Sequence, residues 1–400
     1  MKKTIAYLIV LLGITVLGES CQNTVGRSYG KKDYNKAKAY YDSLAFHREA
    51  ILTSPETITM VKGLNNFYHH YLGKNFNGAM LVARKGVVIF ERYQGFSNFA
   101  DKTSITKQTT FQLASTSKPF TAMAVLYLQQ QGQLRITDSI QRYFPKFPYK
   151  GVTIKSLLDH RSGLPNYLYF CGKYWNDRTK LMTNRDVIDL MIKYHPKAIY
   201  APNTHYNYCN TNYAVLGALI EKITGERLGE YLKKVFFDPL GMKHTYVYNP
   251  NRDKTHAQQS LTYDYRTRPI PNECFDGVVG DKNVYSTVDD LLKWDQGLYD
   301  GKLFTKATLK AAFTPYSNEH PGIKNYGLGW HLLVYPDSSE IVYHNGWWHG
   351  NTSSFYRFID DSTTLIILSN RFNKMVYYVQ PVWKILHEAT FAVDGDDDEG

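Results

Sequence analysis

The sequence predicts an α+β fold in which one antiparallel sheet, built from strands at both ends of the chain, is flanked by helices and interrupted by a large inserted helical lobe. Two patterns carry this. Short β-rich runs occupy Gly78 to Tyr93 and recur after Tyr326, whereas from Ser115 to about Tyr326 the apolar residues return at helical spacing, broken by loops rich in Pro, Gly, Asn and Tyr. A third observation is size and composition: 400 residues, 43% hydrophobic and 15% aromatic, suffice for a large core and exclude a fibre or a disordered chain.

Taken in order, Met1-Lys2-Lys3, the mainly apolar run Ile5 to Leu17, and Gly18-Glu19-Ser20-Cys21 read as an export signal, too short to span a membrane comfortably. Cys21 resembles the modified cysteine of bacterial lipoproteins, although Glu19 departs from the usual small or apolar pattern. The expectation is therefore residues 1–20 as signal peptide and an exported, lipidated protein of the periplasm or cell envelope, with a membrane as partner; simple secretion is the alternative. Residues 21–55 read as a tether and a first helical segment, 56–390 as the folded domain, and 391–400 as an acidic tail. Helical pattern runs to about Tyr71, where Tyr68-His69-His70-Tyr71 reads as a polar helix edge. Arg84-Lys85-Gly86 joins two strands as a hairpin. At the other end, strands are expected at Glu340 to His344, Thr352 to Ile359 and Thr363 to Ser369, then a helix from about Val379 to Ala392.

With Cys21 set apart, Cys171, Cys209 and Cys274 are an odd number and cannot form a complete disulfide framework. No Cys-x-x-Cys pair or His-Glu-x-x-His helix occurs, so no metal or cofactor is expected. The formal charge is +11, but no run of Lys and Arg interleaved with aromatics points to nucleic acid.

Three motifs carry chemistry. Ser115-Thr116-Ser117-Lys118 puts a hydroxyl and an amine one turn apart at the start of a helix continued by Phe120, Met123, Ala124, Tyr127 and Leu128. There the helix dipole favours developing negative charge, and Lys118 reaches back to the hydroxyl. A second Ser-x-x-Lys, Ser28 to Lys31, lacks an apolar helix behind it. Tyr208-Cys209-Asn210 precedes a helix ending at Gly225; such a tyrosine can relay protons beside cations, and Asn210 can donate to a substrate carbonyl. The more literal Tyr316-Ser317-Asn318 lies in a loop without a helix. His344-Asn345-Gly346 ends a strand, and its glycine lets backbone approach a ligand; the amides of Trp347 and Ser115 could together hold an oxyanion. Asp159-His160-Arg161-Ser162 is too local for a Ser-His-Asp triad.

In this order, and with the phrases Phe111-Gln-Leu-Ala-Ser115, Leu157-Leu-Asp-His-Arg-Ser-Gly-Leu-Pro165, Pro239-Leu-Gly-Met-Lys-His244, Ser286-Thr-Val-Asp-Asp-Leu291 and Tyr326-Gly-Leu-Gly-Trp330, the chain resembles the serine beta-lactamase and penicillin-binding-protein superfamily, specifically its class C beta-lactamase, D-aminopeptidase and esterase branch. The resemblance spans about Leu64 to Ala389 and implies a beta-lactamase/transpeptidase-like fold. It implies Ser115 as acylated nucleophile, Lys118 as its activating partner and Tyr208 as proton relay, with His344 where penicillinases of the branch often carry lysine. Cys209 stands in place of a common serine, and Gly280-Asp281-Lys282-Asn283 in place of a glycine pair on the cleft wall. The implied activity is hydrolysis of small esters, amides or D-amino-acid peptides, cell-wall fragments among them, through an acyl-enzyme. A silent penicillin- or peptidoglycan-binding sensor and a true class C-type beta-lactamase are the alternatives. A neutral His344 beside Trp347 and Trp348 predicts weak carboxylate recognition and poor beta-lactam turnover.

Overall fold

The computed structural model describes residues 46–250, 253–319 and 321–387. The export signal, Cys21, the Ser28 to Lys31 motif and the acidic tail lie outside the described residues. Two compact units divide between Ser54 and Pro55. The first contributes a helical stretch at 46–53, and the second holds everything that follows.

The main sheet consists of β1 (Gly78–Arg84), β2 (Val87–Gln94), β3 (Lys324–Tyr326), β4 (His331–Val334), β5 (Glu340–Trp348), β6 (Asn351–Phe358) and β7 (Thr363–Ser369), in the spatial order β2-β1-β7-β6-β5-β4-β3. Every pairing is antiparallel, and β1 from one end of the chain lies against β7 from the other. β6 and β7 are buried throughout and β1 in all but its last residue, because both faces of the sheet are covered; β1 and the middle of β7 read as apolar runs, whereas β6 opens with the buried polar residues Asn351 to Ser354. Ala79, Leu81 and Ala83 join the main core cluster, while Met80 and Val82 are equally buried outside it.

The helices are α1 (Pro55–Phe67), α2 (Lys118–Gln130), α3 (Ile154–Leu158), α4 (Tyr167–Tyr174), α5 (Asn184–Tyr194), α6 (Asn210–Thr224), α7 (Leu228–Leu232), α8 (Val288–Gly297), α9 (Lys306–Phe313) and α10 (Gln380–His387). Threonine side chains start several of them: Thr153 and Thr183 close capping boxes on α3 and α5, and Thr287 caps α8 through the Asp290 amide. α6 stops at Gly225 with φ +72, where a side chain would be strained. α2 and α6 are buried along most of their length, so they form the centre of the lobe. Trp294 of α8 stacks on Phe120 of α2 at 4.5 Å, joining that centre to the helix that covers β1 and β7.

Most expected elements are present, with four differences. β3 and β4 fall in the stretch read as helical or left unassigned, because runs of three or four residues are too short to show a period. A small sheet of Phe111–Gln112, Val284–Ser286 and Tyr246–Val247 also interrupts the helical lobe. The strand expected to end at His344 continues to Trp348, since Asn345-Gly346, a turn signal in isolation, is here paired residue by residue with β6. The last helix begins at Gln380 and is described to His387.

Candidate active site

The chain enters the site on Phe111–Gln112, which pairs with Val284–Ser286, then passes through one 3-10 turn, Ala114–Ser117, into α2. Ala114 sits at φ +48, a left-handed conformation that costs an L residue about 1–2 kcal/mol. A clamp of hydrogen bonds holds it there. The Leu113 amide donates to the Val284 carbonyl at 2.8 Å, and its own carbonyl accepts from Ser353 Oγ at 2.7 Å. Thr116 Oγ1 donates to the His344 carbonyl at 3.2 Å, and Ser117 Oγ accepts from the Val284 amide at 3.0 Å. The strained turn leaves Ser115 partly exposed among buried neighbours, as a nucleophile requires.

Lys118 is wholly buried. Its Nζ lies 2.9 Å from Ser115 Oγ, 2.8 Å from Asn210 Oδ1 and 3.1 Å from the Asp281 carbonyl. Asn210 Oδ1 and a main-chain carbonyl can only accept. In the neutral amine they use both N–H groups, and the remaining lone pair faces the Ser115 hydroxyl, which then donates to it. Burial lowers the Lys118 pKa to about 7, with Asp281 opposing and Lys282 reinforcing the effect. The neutral base is thus substantially populated near pH 7.

Tyr208 stands at the start of α6, half-buried, with its ring 4.9 Å from Lys118 Nζ. Behind it is His160, whose ring centroid lies 4.3 Å away. His160 is not part of a triad. Its Nδ1 accepts from the Cys209 amide at 3.1 Å and from Asn212 Nδ2 at 3.0 Å, which fixes the tautomer with hydrogen on Nε2 and pins the residues that carry Tyr208 and Asn210. Cys209 is the N-cap of α6 but does not cap it; its thiol donates to the Leu164 carbonyl at 3.4 Å. Tyr316 is elsewhere, donating to the Ala311 carbonyl at 3.1 Å under the Lys155 ammonium.

The third motif reaches the site through backbone. A Cβ on Gly346 would fall 2.2 Å from the Leu113 carbonyl and 3.0 Å from the Ser115 amide, so only glycine lets β5 lie against the turn that carries Ser115. His344 is fully buried, with Nδ1 2.7 Å from the Asn345 carbonyl and Nε2 3.4 Å from Tyr326 Oη. Burial, with His331 and Lys118 nearby, pushes its pKa well below the usual histidine value, so it brings no charge. Asn345, a candidate substrate contact, faces the other side of the strand: Tyr356 Oη accepts from its Nδ2 at 3.1 Å and its Oδ1 accepts from Ser354 Oγ at 3.0 Å. Trp347 and Trp348 are divided by the same alternation. Trp347 is 56% exposed and packs on Phe372, whereas the Trp348 indole donates to Asp276 Oδ1 at 2.6 Å.

Sequence reasoning missed one part of the site, although Gly280-Asp281-Lys282-Asn283 was already marked as unusual. Asp281 supplies the third partner of Lys118 through its main chain, where no side-chain motif could reveal it. Its carboxylate accepts from Tyr167 Oη at 2.9 Å. Lys282, itself 97% shielded from solvent at 3% exposure, donates to the same phenol oxygen and lies 4.7 Å over the Trp348 ring.

A family model described as Beta-lactamase matches residues 65–388. Penicillin-binding protein 4* of Bacillus subtilis is 35% identical over 330 residues, 79% of this chain and 72% of the relative. The D-aminopeptidase of Brucella anthropi is 28% identical over 234 residues, 57% of this chain and 43% of that protein's length. Among solved structures, the D-amino acid amidase of Ochrobactrum anthropi SV3 superimposes with a TM-score of 0.67 at 22% identity, covering 83% of this chain and 98% of its own.

Proposed function

Since the chain belongs to the beta-lactamase family, we propose that it is a serine hydrolase that forms an acyl-enzyme at Ser115 on small esters, amides or D-amino-acid peptides. The observation that carries this reading is the approach of Lys118 Nζ to Ser115 Oγ, 2.9 Å, in a buried setting whose other two contacts are acceptors. Ser115 passes its proton to the neutral amine while Oγ bonds to the acyl carbon, and the Ser115 and Trp347 amides receive the oxyanion. The ester or amide bond then breaks. Its leaving group takes a proton through Tyr208, and water completes the cycle by the reverse transfers. With Oδ1 of Asn210 held by Lys118, its Nδ2 is the group left to donate to substrate.

The relatives' names support amide and D-amino-acid substrates. A buried, uncharged His344 in the third motif supports weak binding of the carboxylate that beta-lactams carry. A panel of nitrophenyl esters, D-alanyl amides and peptides, and nitrocefin, run on wild type and Ser115→Ala, tests the reading. Turnover of the esters or D-alanyl compounds that disappears in the variant is expected. Nitrocefin turnover exceeding the ester rates by orders of magnitude would overturn the substrate assignment, and labelling without turnover of anything would favour a sensor.

A further inference from the structure

The charges around Lys118 are few. On its own segment it meets Ser115; from the start of α6 and its first turn it meets Tyr208, Cys209, Asn210 and Tyr213. From the α3–α4 loop, β4 and β5 come His160, His331 and His344, all three buried. Burial lowers the His160 and His344 pKa values well below the histidine range and that of His331 to about 3, while it raises the Cys209 thiol. All four are therefore uncharged at neutral pH. Among the described residues, the ionic groups that act on Lys118 are Asp281 and Lys282, adjacent in sequence and both buried.

Their arrangement separates two duties of one residue. The Asp281 main-chain carbonyl accepts from Lys118, whereas its side chain is turned to Tyr167 and lies 3.4 Å from Lys282 Nζ. Tyr167 is fully buried and its phenol stays protonated, so it donates to Asp281 while accepting from Lys282. Lys282 is further fixed over the rings of Trp348 at 4.7 Å and Tyr167 at 5.1 Å. The pair acts on the site through its field at Lys118, where Asp281 favours the ammonium and Lys282 the free amine. A carboxylate left alone there would hold the amine in its ammonium form, which cannot accept the Ser115 proton.

Resting on the hydrolase reading above, we propose that Lys282 is a positioning residue for acylation: its ammonium, held by Tyr167 and Trp348, cancels the Asp281 carboxylate so that Lys118 meets Ser115 as a free amine.

The test is the pH dependence of Ser115 labelling by a fluorophosphonate, in which an O–P bond forms, fluoride leaves and Lys118 takes the serine proton. The acid limb of that rate reports Lys118. Lys282→Met should move the limb up by about one pH unit, the scale of one charge acting across several ångströms at an effective dielectric near 20, and so slow labelling about tenfold below the limb. Lys282→Arg keeps the charge and should keep the wild-type limb. Asp281→Asn retains the main-chain carbonyl and should move the limb down, and the double variant Asp281→Asn, Lys282→Met should return it close to wild type. A purely structural pair would lower the rate without these opposed shifts. An unmoved limb in folded Lys282→Met overturns the proposal. If that variant does not fold, a limb in Asp281→Asn that stays or rises overturns it equally. Labelling of wild type that persists in Ser115→Ala would instead remove the hydrolase reading itself.

Discussion

Replacing Lys118 with methionine should abolish acylation and, at the same time, change how the stability of the protein depends on pH. The side chain is wholly buried and its pKa falls from 10.5 to about 7, chiefly through burial. The sign follows from proton binding. Above pH 10.5 the amine is neutral in both folded and unfolded chains, and burying it carries no charge penalty. Between 10.5 and about 7 the unfolded chain binds a proton that the folded one does not, so folding loses about 1.4 kcal/mol for each unit the pH falls. Below about 7 the loss is complete. From pH 10 to pH 7 it amounts to roughly 4 kcal/mol, a large share of the ~5–15 kcal/mol that typically holds a protein together. Methionine carries no such cost. It also strips Asn210 Oδ1 and the Asp281 carbonyl of their donor, a pH-independent loss of about 1–3 kcal/mol for each buried group left unpaired. The diagnostic is therefore the trend and not the offset. Guanidinium unfolding of wild type and Lys118→Met at pH 7, 8, 9 and 10 should show the variant gaining on wild type by about 4 kcal/mol as pH falls. A difference that stays constant within about 1 kcal/mol would mean that Lys118 is charged in the folded protein at every pH tested, and the argument for a lysine base would fail.

Two further perturbations follow from the site. Tyr208→Phe should reduce ester turnover about a hundredfold or more, the range of lost acid-base catalysis, while Tyr316→Phe, whose hydroxyl bonds to the Ala311 carbonyl and Thr314, should be nearly silent; steady-state rates with one nitrophenyl ester decide, and the reverse ranking would reassign the relay. Gly346→Ala forces a Cβ to within 2.2 Å of the Leu113 carbonyl, so β5 must withdraw from the nucleophile turn; labelling of Ser115 should fall by at least about a hundredfold, the scale of a lost oxyanion donor, and a folded variant that labels at the wild-type rate would show that the Trp347 amide plays no part.

What the sequence revealed of this site depended on whether a role belongs to a side chain in a regular pattern. Ser115 and Lys118 were legible because helical spacing itself puts them on one face. Tyr208 and Asn210 were legible because a helix follows them, which set them apart from Tyr316. Gly346 announced a close approach but not its partner, the Leu113 carbonyl, since nothing local links residues so distant along the chain. The orientation of the Asn345 side chain follows from a pattern the sequence does contain: in a strand, the neighbours of an inward Gly346 point the other way. The Asp281 carbonyl was invisible because backbone acceptors have no residue signature. His160, too local to Asp159 and Ser162 for a triad, still serves the site by fixing the backbone of Cys209.

The pairing of β1 with β7 joins Gly78 to Ser369 and Arg84 to Thr363, so the sheet closes only across nearly the whole length of the domain. During synthesis the amino-terminal hairpin must wait, its inner edge unpaired, until the last strand has been made. Pairings of such long range are slow because the entropy of closing the loop is lost before the contacts form. The nucleophile turn inherits this delay, for Leu113 and Thr116 are held by Ser353 and His344 on strands that arrive late. A ribosome-bound or truncated chain that carries Ser115 and Lys118 but ends before β5 therefore has both groups and only the Val284 half of the clamp, and the turn is held from both sides only once the whole domain has been made.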